Sequence, residues 1–330
     1  MLGNDTAVNQ ALEVDVTELL KFGQAIDAAD LNDPQGIASL YWNWQLTCLT
    51  RKARYSDFFE WQLYNSVLSG AGVDGNTYLY NNPTCCRGGI TRQPWYSIPC
   101  CPSNISRTLA DLGGYLCTAD ANNLWVHQYI GGHVNLEENI GVDLTIRSGL
   151  PANADVEIDV DVKQPQRFTL WLRKPSWAGT FAVSIDGKPA TFDIPNPPAL
   201  EPTIAGFDPR ASVFVPIERD WHSKTKLRIN MEMPIRVLRP HPQVKALRGR
   251  VAISHGPLVY CLESADNPNV DIFAEGIDLI SLRHEYRSDL LGGTGVVTSK
   301  TAKGKPVLFI PFFLWGNRGE SQMTAWVNGM

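Results

Sequence analysis

The period of the apolar residues changes once along this chain, at Asn123, and that single change constrains the fold more than any other feature. Before it, apolar residues recur at helical spacing. Ile37, Leu40, Tyr41, Trp44 and Cys48 mark one face of a helix that begins at Gly36, and Phe58, Phe59, Leu63 and Val67 mark a second over residues 55–68. The polar connection at 49–54 is short, so the two helices are expected to be antiparallel neighbours, with their aromatics forming core. An earlier helix is expected over 14–28, through Val16, Leu19, Leu20, Phe22 and Ile26. After Asn123 the alternation is that of half-buried strands: Leu124 and Val126; Val156, Ile158, Val160 and Val162; Phe168, Leu170 and Leu172; Leu227, Ile229, Met231 and Met233. Asp186-Gly187 is a hairpin signal, and the prolines from Pro195 to Pro216 predict a long irregular connection. Many short strands with such turns predict antiparallel sandwiches, and about 200 residues suffice for two. The expected fold class is therefore α+β and multidomain. Residues 1–122 form a helical part, 123–222 a first β-sandwich and 223–330 a second.

Between the two regimes lies the one stretch rich in chemistry, from Tyr78 to Asn104. It ends in Cys100-Cys101-Pro102-Ser103-Asn104. Adjacent cysteines do not readily bond to each other, so a metal faced by both sulfurs is a better account than a redox pair. Pro102 suits the first turn of a helix, and Ile105, Leu109, Leu112 and Leu116 continue at helical spacing. Both thiols would then sit at a helix N-terminus, where the partial positive charge favours the thiolate that serves as nucleophile or metal ligand. The alternative is two buried cysteines acting as small apolar residues. Seven cysteines, an odd number with two adjacent pairs, do not form the pattern of a secreted disulfide framework.

Other constellations carry less. Asp155, Glu157, Asp159 and Asp161 share one strand face, which reads as a solvated surface in preference to a calcium site. The six histidines show no metal-ligand spacing; His127, on the first strand after the cysteine helix, is the best placed. Lys and Arg (29) against Asp and Glu (34) leave a net charge of -5, with no basic cluster interleaved with aromatics, so nucleic acid is not an expected partner. No apolar run is long enough to span a bilayer, and Asp5, Glu13, Asp15 and Glu18 stand where a signal peptide would be basic and then apolar. A cytoplasmic location is expected. Nucleophile-elbow, P-loop, zincin and dinucleotide fingerprints do not occur.

The blocks at 55–65 (Tyr-Ser-Asp-Phe-Phe-Glu-Trp-Gln-Leu-Tyr-Asn) and 74–83 (Asp-Gly-Asn-Thr-Tyr-Leu-Tyr-Asn-Asn-Pro), Trp95-Tyr96 and Cys100 to Asn104 together resemble glycoside hydrolase family 127, the beta-L-arabinofuranosidases. The segments 172–178, 217–221, 249–263 and 315–319 extend the resemblance to the end of the chain. It implies part of an (α/α)6 barrel followed by β-sandwich domains, and a retaining glycosidase acting on an arabinose-containing oligosaccharide or glycoconjugate. It further implies zinc, with Cys100 as nucleophile and metal ligand, Cys101 as metal ligand and Tyr80 beside the sugar. Two displacements, sulfur on carbon and then water on carbon, would retain configuration.

The sequence also departs from the family pattern. Where the family has a Glu-x-Cys metal motif, this chain reads Asn32-Asp33-Pro34-Gln35, and residues 1–31 hold no block matching the catalytic glutamate. Too few helices precede the strands for a whole barrel, so the chain reads as the C-terminal part of such an enzyme. Self-association through the exposed barrel helices is expected. Cys85-Cys86 could complete a closed four-thiolate zinc site with Cys100-Cys101, or be a loop pair without metal. Glu60 is the nearest carboxylate for an acid/base role, although its mid-helix position favours a structural or solvent-facing one. The competing function is a non-catalytic remnant that binds carbohydrate or packs against other subunits. A thiol redox protein ranks below both.

Overall fold

The structure, a computed structural model, describes residues 34–195 and 211–330. The expected helix at 14–28 lies outside them. Helix α1 (Pro34–Thr50) and helix α2 (Ala53–Gln62) are joined by Arg51 and Lys52 alone, and Arg51 adopts a left-handed backbone that reverses the chain. Ile37 and Leu40 of α1 meet Phe59 of α2, together with Leu63, Val67 and Ile105, in one buried cluster. The pairing expected from the two apolar faces is therefore present. After Gln62 the helix widens into a π turn, Leu63–Val67. Asn65 in that turn donates to the carbonyls of Trp61 and Pro257 and accepts from the Val259 N–H, which ties the helical part to the distant C-terminal sheet.

Helix α3 spans Cys100–Ala110. The helix expected from the Ile105–Leu116 spacing ends earlier, because Asp111-Leu112-Gly113-Gly114 favours a tighter 3₁₀ turn over Leu112–Tyr115. Of the expected face only Ile105 and Leu116 are buried, while Leu109 is exposed.

Beyond Asn123 two sheets enclose one core. The four-stranded sheet holds Cys117–Ala119, Asn123–Val126, Gln166–Lys174 and Val213–Trp221. The six-stranded sheet holds Gly132–Leu136, Val142–Ser148, Asp155–Val162, Lys224–Met231, Phe181–Ile185 and Lys188–Pro189. Leu124, Leu170 and Val215 from the first meet Leu144, Ile158 and Leu227 from the second. Three details differ from the sequence reading. The strand Lys224–Met231 lies between Asp155–Val162 and Phe181–Ile185, so this unit closes after Met231 and not at residue 222. Pro216 lies inside a strand and not in the irregular connection; its strand is at the sheet edge, where a missing N–H is tolerated. Asp186 and Gly187 both take positive φ, as a two-residue hairpin turn requires.

The C-terminal part is a continuous sheet of ten strands, not two separate ones, and it is covered on both faces. Along its central strands, Tyr260, Leu262, Val297 and Phe309 face one apolar cluster, and Cys261, Val296 and Ile310 face another. Cys85–Cys86 forms a two-residue strand of this sheet, paired with Met323–Thr324.

The acidic strand face is a lattice of ion pairs. Arg147 reaches Glu157 and Asp159, Arg228 reaches Glu157 and Lys224 reaches Asp159, so basic groups of the neighbouring strands pair with both carboxylates, of which Asp159 is buried. Among the described residues no helix is long and apolar enough to cross a membrane.

Candidate functional site

Cys100 opens helix α3, with its side chain exposed, and Cys101 follows fully buried beneath it. Pro102 occupies the first turn as expected. Ser103 donates its hydroxyl to the carbonyl of Pro99, and Asn104 donates its side-chain amide to the carbonyl of Cys100, which fixes the turn carrying the thiols. The two sulfurs lie 3.8 Å apart. No disulfide forms among the seven cysteines.

Tyr80 stands 3.0 Å from the Cys100 sulfur through its hydroxyl. It arrives there on the extended segment foreseen at 78–83. Tyr78 exchanges two backbone hydrogen bonds with Gln93, and the hydroxyl of Tyr96 accepts from the Tyr80 N–H while donating to the Tyr78 carbonyl. The rings of Tyr80 and Tyr96 lie 5.4 Å apart. Tyr96 therefore orients Tyr80, a role the sequence reading did not assign, although Trp95-Tyr96 was one of the blocks that carried the family resemblance.

The hydrogen bond from Tyr80 holds the Cys100 thiol below its ordinary range, with smaller contributions from the Cys101 thiol and backbone N–H groups. The same bond pushes the Tyr80 phenol upward, so the phenol keeps its proton and donates it. An exposed cysteine so placed has the surroundings that favour a thiolate.

Two zinc–sulfur bonds of tetrahedral geometry put their sulfurs about 3.8 Å apart, and the Cys100–Cys101 spacing matches that value. A complete donor set is not present: among the described residues no three His, Cys, Asp or Glu side chains gather as metal ligands. Cys85 and Cys86 therefore do not complete a four-thiolate site. Pairing with Met323–Thr324 draws them into the C-terminal sheet, where Cys86 is buried against apolar neighbours.

Two further candidates prove structural. Glu60 is buried, with its carboxylate held by the Arg173 guanidinium at 2.6 Å and by the Trp177 indole N–H at 2.7 Å. A solvent-facing role is excluded, and so is any free oxygen for acid/base work. Arg173, itself fully buried, also binds Asp57 at 2.7 Å and the carbonyl of His127 at 2.6 Å. His127 is buried between the hydroxyls of Ser56 and Thr118, and burial lowers its pKa to about 3, so it stays neutral.

Three family profiles match the chain in succession. The beta-L-arabinofuranosidase GH127 catalytic domain covers residues 35–114, the GH127 middle domain 123–235 and the glycoside hydrolase family 127 C-terminal domain 235–328. A non-reducing end beta-L-arabinofuranosidase of Bifidobacterium longum subsp. longum is 25% identical over 321 residues, covering 84% of this chain and 46% of its own. A solved family 127 beta-arabinofuranosidase superposes with a TM-score of 0.78 at 26% identity, covering 89% of this chain and 49% of that one. The family 127 beta-L-arabinofuranosidase of Geobacillus stearothermophilus gives 0.77 at 28% identity, covering 92% and 51%. The chain thus spans about half the length of the relatives it matches.

Proposed function

The chain belongs to glycoside hydrolase family 127, and from that premise we propose that it removes terminal beta-L-arabinofuranosyl residues from an arabinose-containing glycan, using Cys100 as nucleophile. The observation that carries this reading is the exposed Cys100 sulfur at a helix N-terminus, 3.0 Å from a phenol that stays protonated. The sulfur attacks the anomeric carbon as the glycosidic C–O bond breaks, and the departing oxygen takes a proton from solvent water. Water then displaces the sulfur and gives up a proton to solvent, which restores the thiolate, so two inversions retain configuration. Tyr80 supports the first step by donating to the thiolate and orienting it toward the sugar. Glu60 is not the proton donor, since Arg173 and Trp177 hold its carboxylate.

Zinc is part of the proposal, with Cys100 and Cys101 as two of its ligands; when bound, it would hold Cys100 ionised at neutral pH. We further infer that helices α1 to α3 belong to an (α/α)6 barrel, and that reduced thiols place the protein in the cytoplasm. Turnover of a chromogenic beta-L-arabinofuranoside that is lost in Cys100→Ser with zinc content retained supports the assignment. A fully active Cys100→Ser protein refutes it.

A second reading, a non-catalytic module that binds carbohydrate or assembles through its helices, is favoured by the two-donor thiol pair and by apolar side chains left in solvent. Trp42 is 45% exposed and Leu49 65%, both on α1. On that reading zinc binds without turnover, and the protein elutes above monomer mass on size exclusion. A monomer at all concentrations counts against assembly.

A further inference from the structure

Trp95 is a large apolar side chain left 53% exposed within the cysteine loop. It does not hang free, because its ring meets Tyr78 edge to face at 5.5 Å. Tyr78 is pinned in turn by its two backbone bonds to Gln93 and by its hydroxyl, 3.4 Å from Ser106 on helix α3. Tyr78 and Tyr80 are two apart on the segment that enters the cysteine loop, and both hydroxyls reach helix α3. One reaches Ser106 and the other Cys100, six residues apart on the same helix, a rise of about 9 Å. An aromatic pair therefore stands on the segment that reaches Cys100, offset from it along helix α3 by roughly the length of one sugar residue.

We propose that Trp95, backed by Tyr78, is the platform for the sugar ring that follows the terminal arabinofuranosyl residue, on the leaving-group side of the scissile bond. The inference rests on the reading of Cys100 as nucleophile. An attacking sulfur lies about 3–3.5 Å from the anomeric carbon, and the next ring begins one glycosidic oxygen beyond it, a reach comparable with the rise of about 9 Å from Cys100 to Ser106, which the Tyr78 hydroxyl approaches. Sugar rings present C–H faces that pack on an indole, and a preorganised, half-exposed aromatic supplies that contact at little entropic cost. Ligand specificity would then be for a glycosyl leaving group in preference to a small alcohol.

The test is Trp95→Ala, with Trp95→Phe retaining an aromatic face, assayed on a disaccharide ending in beta-L-arabinofuranose and on its methyl glycoside. The expected result is a fall in kcat/KM about tenfold larger for the disaccharide than for the methyl glycoside, carried by KM, with most of the loss restored by phenylalanine. Disaccharide affinity of the Cys100→Ser protein should fall in parallel when Trp95 is also removed, as read by calorimetry. Equal losses on both substrates, or none, overturn the platform and leave the glycosidase reading intact. Disaccharide binding that depends on Trp95 without any turnover supports the platform and refutes the glycosidase. Neither binding nor turnover overturns both.

Discussion

Replacing Arg173 with alanine removes the cation that bonds two buried carboxylates directly. Arg173 is fully buried, Asp57 is 2% exposed and Glu60 3%, and the two pairs measure 2.7 and 2.6 Å. Deleting one partner of a buried pair costs about 3–5 kcal/mol, because the remaining buried charge loses its direct counter-ion. Counting instead two charge-assisted hydrogen bonds at about 1.5–3 kcal/mol each gives about 3–6 kcal/mol, which overlaps that range. For a unit of this size about 4 kcal/mol lowers Tm by roughly 8–16 °C. The pH dependence carries a second signature. Burial already raises the Asp57 pKa, Arg173 opposes that rise and Glu60 adds to it. Without Arg173 the folded value rises further above the unfolded one, so folding favours the protonated acid. The lost stability is then greatest above the folded pKa and is regained as pH falls toward the unfolded value. Melting followed by near-ultraviolet circular dichroism between pH 7.5 and 5 should show the deficit of Arg173→Ala shrinking with acid. A variant that melts within about 2 °C of the parent, or a deficit unchanged with pH, would refute the reasoning.

Two other perturbations test separate parts of the molecule. Tyr80→Phe removes the hydrogen bond that lowers the Cys100 pKa, so the midpoint of iodoacetamide alkylation at Cys100 should move to higher pH with little change in Tm; an unmoved midpoint means that Tyr80 does not stabilise the thiolate. His255 and His284 stack 3.8 Å apart, and burial, then the neighbouring His284, lower the His255 pKa to about 4. A folded pKa below the unfolded value gives stability that is complete above about pH 6.5 and lost as pH falls toward 4, so His255→Phe should flatten that acid limb in urea titrations; an equally steep limb would place the acid sensitivity elsewhere.

Local pattern was enough to read the change of regime at Asn123, the antiparallel pairing of α1 and α2, the hairpin at Asp186-Gly187 and the helix start at Cys100-Cys101-Pro102. Each of these depends on spacing within a few residues, and periodicity reports directly which face of an element is buried. The Tyr80 hydroxyl beside Cys100 was reached only through a family resemblance, because no local rule joins residues 20 apart.

What the sequence by itself determined, then, is the kind of the long periodic elements and the helix start that carries Cys100 and Cys101. Tertiary structure decided the partners. The Glu60 carboxylate is held by Arg173, 113 residues away, and Cys85-Cys86 is drawn from the other thiols by Met323–Thr324. The strand Lys224–Met231 returns to a sheet begun before it. Burial of an apolar face is favourable against any surface that fits it, so an amphipathic pattern says that a face must be covered and leaves open what covers it. That choice is made by long-range packing and by the buried polar groups that only one arrangement satisfies.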